Sequence, residues 1–243
     1  MNEIILRLKK HYFPLLTLVL LAGLIFYFNR GNRNIITFIT QASGYISIII
    51  LSISLIIGSI SLLFKNINPV STYLRRDISI IGGSLAIIHS IAGLFVHLRG
   101  TTWLYFLNKT EDGYHVRLDN FGLANYTGLI SALIIILLLL TSNDYLLKKL
   151  NPTRWKNIQR SSYVMFILII IHCYYYRIGR EDPNLIYTLY LPLCVIILIF
   201  QMIGVWFKMT KNNLIKNFLH LKLLPLSMFF VTKLLGLIKT VIT

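Results

Sequence analysis

The chain has 243 residues, of which 56% are hydrophobic and only 13% charged; that is more apolar surface than a soluble domain of this length buries. A formal net charge of +16 can signal a nucleic-acid partner, but here the excess sits in short loops between apolar runs, where it meets anionic lipid headgroups. Composition therefore excludes a soluble enzyme or nucleic-acid binder and predicts an all-α integral membrane protein in contact with lipid.

Crossing a hydrocarbon core of about 30 Å takes about 17–25 helical residues. Apolar runs of that kind fall at 12–28, 36–64, 78–98, 122–142, 160–177 and 185–207, which predicts a six-helix transmembrane bundle and one domain over 1–243. The first run follows Arg7, Lys9 and Lys10 as a signal peptide's would, but no small-residue cleavage motif follows Asn29 and Arg30, so it reads as a retained helix. The last stretch, 218–243, is broken by Pro225 and interrupted by Lys222, Lys233 and Lys239. It reads either as a seventh span or as an interfacial helix.

Basic residues in the loops set the expected orientation. Segments 1–11, 65–77, 143–160 and 208–222 carry Lys and Arg, whereas 99–121 and 178–184 hold Glu111, Asp112, Asp119, Glu181 and Asp182. The alternation puts the N-terminus in the cytoplasm; only Arg30 and Arg33 in the 29–34 loop run against it. No glycine-rich dinucleotide or phosphate loop occurs, and no internal repeat is evident. Flavin or nicotinamide chemistry would then come from another protein.

Two histidines, His89 and His172, lie deep inside apolar runs. A metal-ligating or ionisable side chain in a span is costly without a partner and is a functional candidate for that reason. His89 lies 13 residues beyond Arg76 and His172 lies 12 beyond Arg160, so both sit about 20 Å from the inner boundary. Matched depth lets two imidazoles clamp one porphyrin, and neutral imidazole brings no charge into the bilayer. Interhelical hydrogen bonding accounts for such histidines equally well, and spacing alone leaves both readings open.

Other candidates are weaker. His97 follows His89 on the expected helix, about 12 Å higher and turned about 80°; it reads as a second outer ligand, a proton donor near the exit or a headgroup-level residue. Arg99 and Arg177 stand where haem propionates could take charge-assisted hydrogen bonds, though arginines gather at membrane interfaces anyway. Gly82, Gly83 and Gly93 near His89 suit helix packing or room for a flat macrocycle. Arg75, Arg76, Trp155, Gln159 and Arg160 form an inner edge where a quinol headgroup or a flavin phosphate could dock. Cys173 and Cys194 fit small buried hydrophobes, and His11, His115 and His220 read as surface residues.

The runs Leu74–Ser90 and Thr127–Tyr176 resemble the ferric reductase-like transmembrane family, most closely its short bacterial branch, the haem-bearing membrane subunit of the periplasmic methionine sulfoxide reductase system. The likeness is strongest over 74–176 and rests on Arg75-Arg76 preceding a histidine, then on Thr141-Ser142, Lys149-Leu150, Arg154-Trp155 and Tyr163 leading to His172. The resemblance implies that His89 and His172 ligate a b-type haem in an electron-transfer component of an oxidoreductase system. Its donor would be quinol or a cytoplasmic flavoprotein, and its outer acceptor a reductase partner, ferric iron or oxygen. Two departures stand out: Gln159 replaces a further histidine, and the inner position on the third helix falls on or next to Arg75. One haem is expected. The other reading is a non-redox membrane scaffold or assembly partner that keeps the fold without haem.

Overall fold

The computed structural model describes residues 2–30, 34–64, 73–98, 101–178 and 184–211. The stretch 218–243 and Arg99 lie outside them. Among the described residues the chain runs as six long helices, α1 (Phe13–Arg30), α2 (Ile35–Phe64), α3 (Tyr73–Gly93), α4 (Asn120–Leu140), α5 (Ser161–Ile178) and α6 (Leu191–Lys211). Among the described residues, five helical stretches are long and apolar enough to cross a membrane, and the protein is an integral membrane protein with an all-α bundle. The α3 helix is not one of the five, because Arg75, Arg76 and Asp77 open it and leave it less apolar than its neighbours.

Packing is pairwise. The α2 helix lies along α3, α4 lies along α5, α6 covers α2, and α3 meets α4 between the pairs. Ile48, Leu51 and Leu55 of α2, Ala86 of α3, Ile135 and Leu138 of α4, and Met165 and Phe166 of α5 form the shared core. Leucines such as Leu18, Leu133 and Leu198 point outward and are exposed, as a lipid-facing surface requires. Gly82 packs on Ile50 and Leu51, and Gly83 on Leu139, so these two glycines serve helix packing.

At one end, here the hairpin end, the α3–α4 connection folds into a short 3-10 turn and an antiparallel hairpin. Its strands β1 (Leu107–Thr110) and β2 (Gly113–Val116) pair Leu107 with Val116 and Thr110 with Gly113, and Gly113 takes a φ of 122° that side chains rarely adopt. Asp119 then caps α4 by accepting from the Gly122 N–H at 2.7 Å. At the opposite, basic end, α4 and α5 are joined by two short helices, Asp144–Lys149 and Pro152–Gln159. Asn143 and Asn151 cap them through the Leu146 and Thr153 amides.

The expected third span ends early. Residues 94–98 leave the helix, and the Tyr105 hydroxyl donates to the Gly93 carbonyl at 3.0 Å while accepting from the His97 amide at 3.2 Å. The hydroxyl also accepts from the Leu98 amide at 3.3 Å, and the Gly93 carbonyl takes the Val96 amide at 3.2 Å as well.

Candidate functional site

His89 on α3 and His172 on α5 occupy matching seats. The His89 Nδ1–H donates to the Thr40 carbonyl at 2.7 Å, and the His172 Nδ1–H to the Ala124 carbonyl at 2.7 Å. A carbonyl only accepts, so each Nδ1 carries the proton and each Nε2 keeps the lone pair. One turn after each carbonyl stands a glycine against the ring. A Cβ at Gly44 would lie 2.6 Å from His89 Nδ1, and one at Gly128 would lie 2.8 Å from His172 Nδ1. No side chain fits at either glycine while the ring holds its place.

The two seats belong to a repeated unit. Ser43-Gly44-Tyr45-Ile46-Ser47 on α2 corresponds to Thr127-Gly128-Leu129-Ile130-Ser131 on α4. Ser47 donates to the Gly44 carbonyl at 2.9 Å and Ser131 to the Gly128 carbonyl at 2.8 Å. Each unit is followed, at nearly the same separation, by its histidine on the next long helix. The sequence reading finds no repeat because the likeness is confined to a few small residues within apolar helices; a search for a glycine one turn after a small residue would have shown it.

The two imidazoles approach edge to face, with ring centres 6.2 Å apart and planes at 81°, in a cavity of about 300 Å³. Tyr176 stacks on His172 at 6.0 Å and 23°, and its hydroxyl meets His97 Nε2 at 3.1 Å. Because the helix stops at Gly93, His97 does not continue up α3 as its spacing predicts. It comes back over the cavity mouth. Arg177 donates to the Tyr45 hydroxyl with its guanidinium 5.8 Å from the ring centre, and both residues line the cavity.

The basic end repeats the seat with a different occupant. About four turns from His89, Arg75 Nε donates to the Ser54 carbonyl at 3.1 Å. A Cβ at Gly58 would lie 2.9 Å from the Arg75 guanidinium carbon. Carbonyl, glycine and side chain thus recur in the same relation, with guanidinium in place of imidazole. Across from it, Gln159 donates to Thr141 Oγ1 at 3.2 Å, and Trp155 Nε1 to the Thr141 carbonyl at 2.7 Å. Trp155 is buried and presents no open aromatic edge, which corrects the expected docking surface. Tyr163 and Gln201 complete this layer, hydrogen-bonded at 3.0 Å.

A second cluster escaped the sequence reading. Asp77 is fully buried and accepts from Arg7, from His11 Nδ1 at 2.7 Å and from the Tyr12 hydroxyl at 3.0 Å. His11 is therefore not a surface residue without a partner. An acid beside two arginines at the start of an apolar helix was the available signal. His115 lies exposed on β2, and His220 falls outside the described residues. Among the described residues, no group of three or more His, Cys, Asp or Glu side chains gathers to hold a metal ion.

The family model for the ferric reductase like transmembrane component matches residues 43–170, slightly more than half of the chain. The chain belongs to that family. The match begins just before Gly44 and takes in Gly44, His89, Gly128, Arg75, Trp155 and Gln159; Thr40 lies three residues before it and His172 two residues beyond it. No curated protein matches the chain, and neither does any solved structure. Membership in the ferric reductase-like family points to a membrane electron-transfer role.

Proposed function

We propose that the chain is a transmembrane electron-transfer subunit holding one b-type haem between His89 and His172. The observation that carries this reading is the pair of imidazoles in one cavity. Two imidazoles that would hold one metal ion between them have ring centres about 6 Å apart, since each ligating nitrogen lies about 2 Å from the ion and each ring centre about 1 Å behind. The observed 6.2 Å suits that arrangement. Each Nδ1–H is held by a carbonyl, the usual outer contact that fixes a ligating imidazole's tautomer, and a pocket of about 300 Å³ is within the range of ligand sites. The residues therefore fit the group.

A bound haem would supply a one-electron carrier. The chain's own residues do the rest. Gly44 and Gly128 leave space for the rings, Thr40 and Ala124 orient them, and the apolar helices keep water from the site. Arg177 at the mouth is a candidate partner for a propionate, as is Arg99; His97, paired with Tyr176, is a polar exit group and not an axial ligand. Arg75 and Gln159 at the basic end offer no imidazole lone pair, which supports a count of one. Positive-inside charge puts the basic end in the cytoplasm. Electrons would then enter from quinol or a cytoplasmic flavoprotein and leave toward a reductase partner, ferric iron or oxygen outside. A bacterial plasma membrane and a role like that of the methionine sulfoxide reductase haem subunit remain part of this proposal.

The test is spectroscopic. Detergent-purified protein, expressed with haem supplied, should show b-type bands on dithionite reduction, and His89→Ala and His172→Ala should each abolish them. A folded wild type without haem bands would defeat this reading and leave the scaffold role.

A further inference from the structure

The cluster around Asp77 lies at the basic end, apart from the cavity, and the function proposed above does not use it. Its carboxylate has no exposed surface and is saturated. One oxygen takes Arg7 and the Tyr12 hydroxyl, and the other takes His11 Nδ1 at 2.7 Å and Arg7 Nε at 3.4 Å. A carboxylate only accepts, so His11 Nδ1 carries the proton and Nε2 holds a lone pair. Around it stand Arg7, Tyr12, Tyr73, Arg76 and Asp77, with both guanidinium groups over the Tyr73 ring at 5.0 and 5.2 Å. A guanidinium has no lone pair to offer and the phenol donates, which leaves His11 Nε2 as the atom of this group with a lone pair for a proton.

Local backbone geometry is built for this convergence. Leu8–Tyr12 forms a π-helical turn closed by the Phe13 amide on the Leu8 carbonyl, next to Pro14, which has no N–H to offer the preceding turn. The extra residue brings Arg7, His11 and Tyr12 onto one face toward Asp77. Such turns often mark functional sites. A buried carboxylate that holds an imidazole by its Nδ1–H and leaves the Nε2 lone pair is the arrangement that orients a general base.

The base is also reachable. The His11 side chain keeps 23% of its surface exposed, and none of the most apolar stretch of Ile5–Asn29 is buried against the protein. A lipid-dissolved molecule can therefore reach His11 along this helix. A donor that passes electrons alone has no use for a base here; a hydroquinone dissolves in the bilayer and releases one proton with each electron.

We propose that His11, oriented by Asp77, is the proton acceptor for a membrane-dissolved hydroquinone that donates the electrons, an inference that rests on the electron-transfer reading. In each step a hydroquinone O–H bond breaks and an Nε2–H bond forms on His11. The electron would pass to the one-electron carrier that His89 and His172 would hold. His11 then releases its proton to the cytoplasmic side and the carrier would pass its electron to the outer acceptor, so that the second hydroxyl can repeat the step; two electrons and two protons leave and a quinone remains.

The experiment follows reduction of the full-length haem-loaded protein by duroquinol, with dithionite as control. His11→Phe keeps the ring and removes the lone pair; it should slow reduction by duroquinol about 100-fold, the usual scale of general-base catalysis, while leaving the dithionite spectrum intact. His11→Gln provides a second variant if Phe disturbs folding. Duroquinol should also raise the melting temperature of wild type and not of the variant, a readout that needs no haem. Equal rates in wild type and variant overturn the proposal. Missing haem bands in wild type defeat the electron-transfer reading instead, and an equal melting shift in both proteins then overturns the His11 site as well.

Discussion

The two ends of the α2–α3 pair hold the same seat with different occupants. At the hairpin end, Gly44 and the Thr40 carbonyl hold His89; at the basic end, Gly58 and the Ser54 carbonyl hold Arg75. An imidazole that donates one N–H keeps a lone pair on its other nitrogen, whereas a guanidinium has five donors and no lone pair. One backbone arrangement thus yields a site able to ligate a metal at one end and a fixed cation at the other. Fold and chemistry separate here at the level of a single side chain.

The largest expected effect comes from filling the histidine seats. Gly44→Leu or Gly128→Leu would force a side chain into space that already lies within 2.6 or 2.8 Å of the ring, and should abolish haem binding as fully as removing the histidine. Gly93→Ala is the control, since its Cβ would meet only Thr40 at 3.8 Å and the spectrum should not change. The comparison is sharpened by Arg75→His together with Gln159→His. If the seats are equivalent, the haem-to-protein ratio measured by pyridine haemochrome should rise from one toward two; an unchanged ratio would mean that seat geometry alone does not make a ligand.

Smaller effects test the layer around Thr141. Trp155→Phe removes a buried donor from the Thr141 carbonyl and should cost about 1–3 kcal/mol, read as a lower melting temperature with the haem spectrum retained. Smallest of all is Gly23→Ala on α1. Nothing lies within 4 Å of the added carbon, and the gain in helix propensity is at most about 1 kcal/mol, so melting should stay level or rise slightly.

The long helices were legible because a span needs an unbroken apolar run, and His89 and His172 stood out as polar exceptions within such runs. The end of α3 was not legible. Leu94, Phe95 and Val96 continue the apolar pattern, while the backbone there tightens into turns, with the Val96 amide on the Gly93 carbonyl at 3.2 Å, and the Tyr105 hydroxyl, twelve residues on, meets the same carbonyl. His97 was misplaced for the same reason. The β1–β2 hairpin escaped as well, although Asp112-Gly113 is a recognised hairpin turn pair. The His11–Asp77 contact spans 66 residues, and no local pattern encodes a pairing at that distance. The glycines against the rings were invisible because each lies on a different helix from the histidine it serves.

The 30 residues of α2 carry one more consequence. At 1.5 Å per residue the helix is about 45 Å long, against a hydrocarbon core of about 30 Å. Containing it wholly would need a tilt beyond the usual upper bound of about 40°, so part of α2 reaches into the headgroup layer. Thinning or thickening the bilayer therefore slides one end of this helix across the polar boundary. The choice of lipid chain length becomes a control on how deeply the Arg75 seat lies in the membrane.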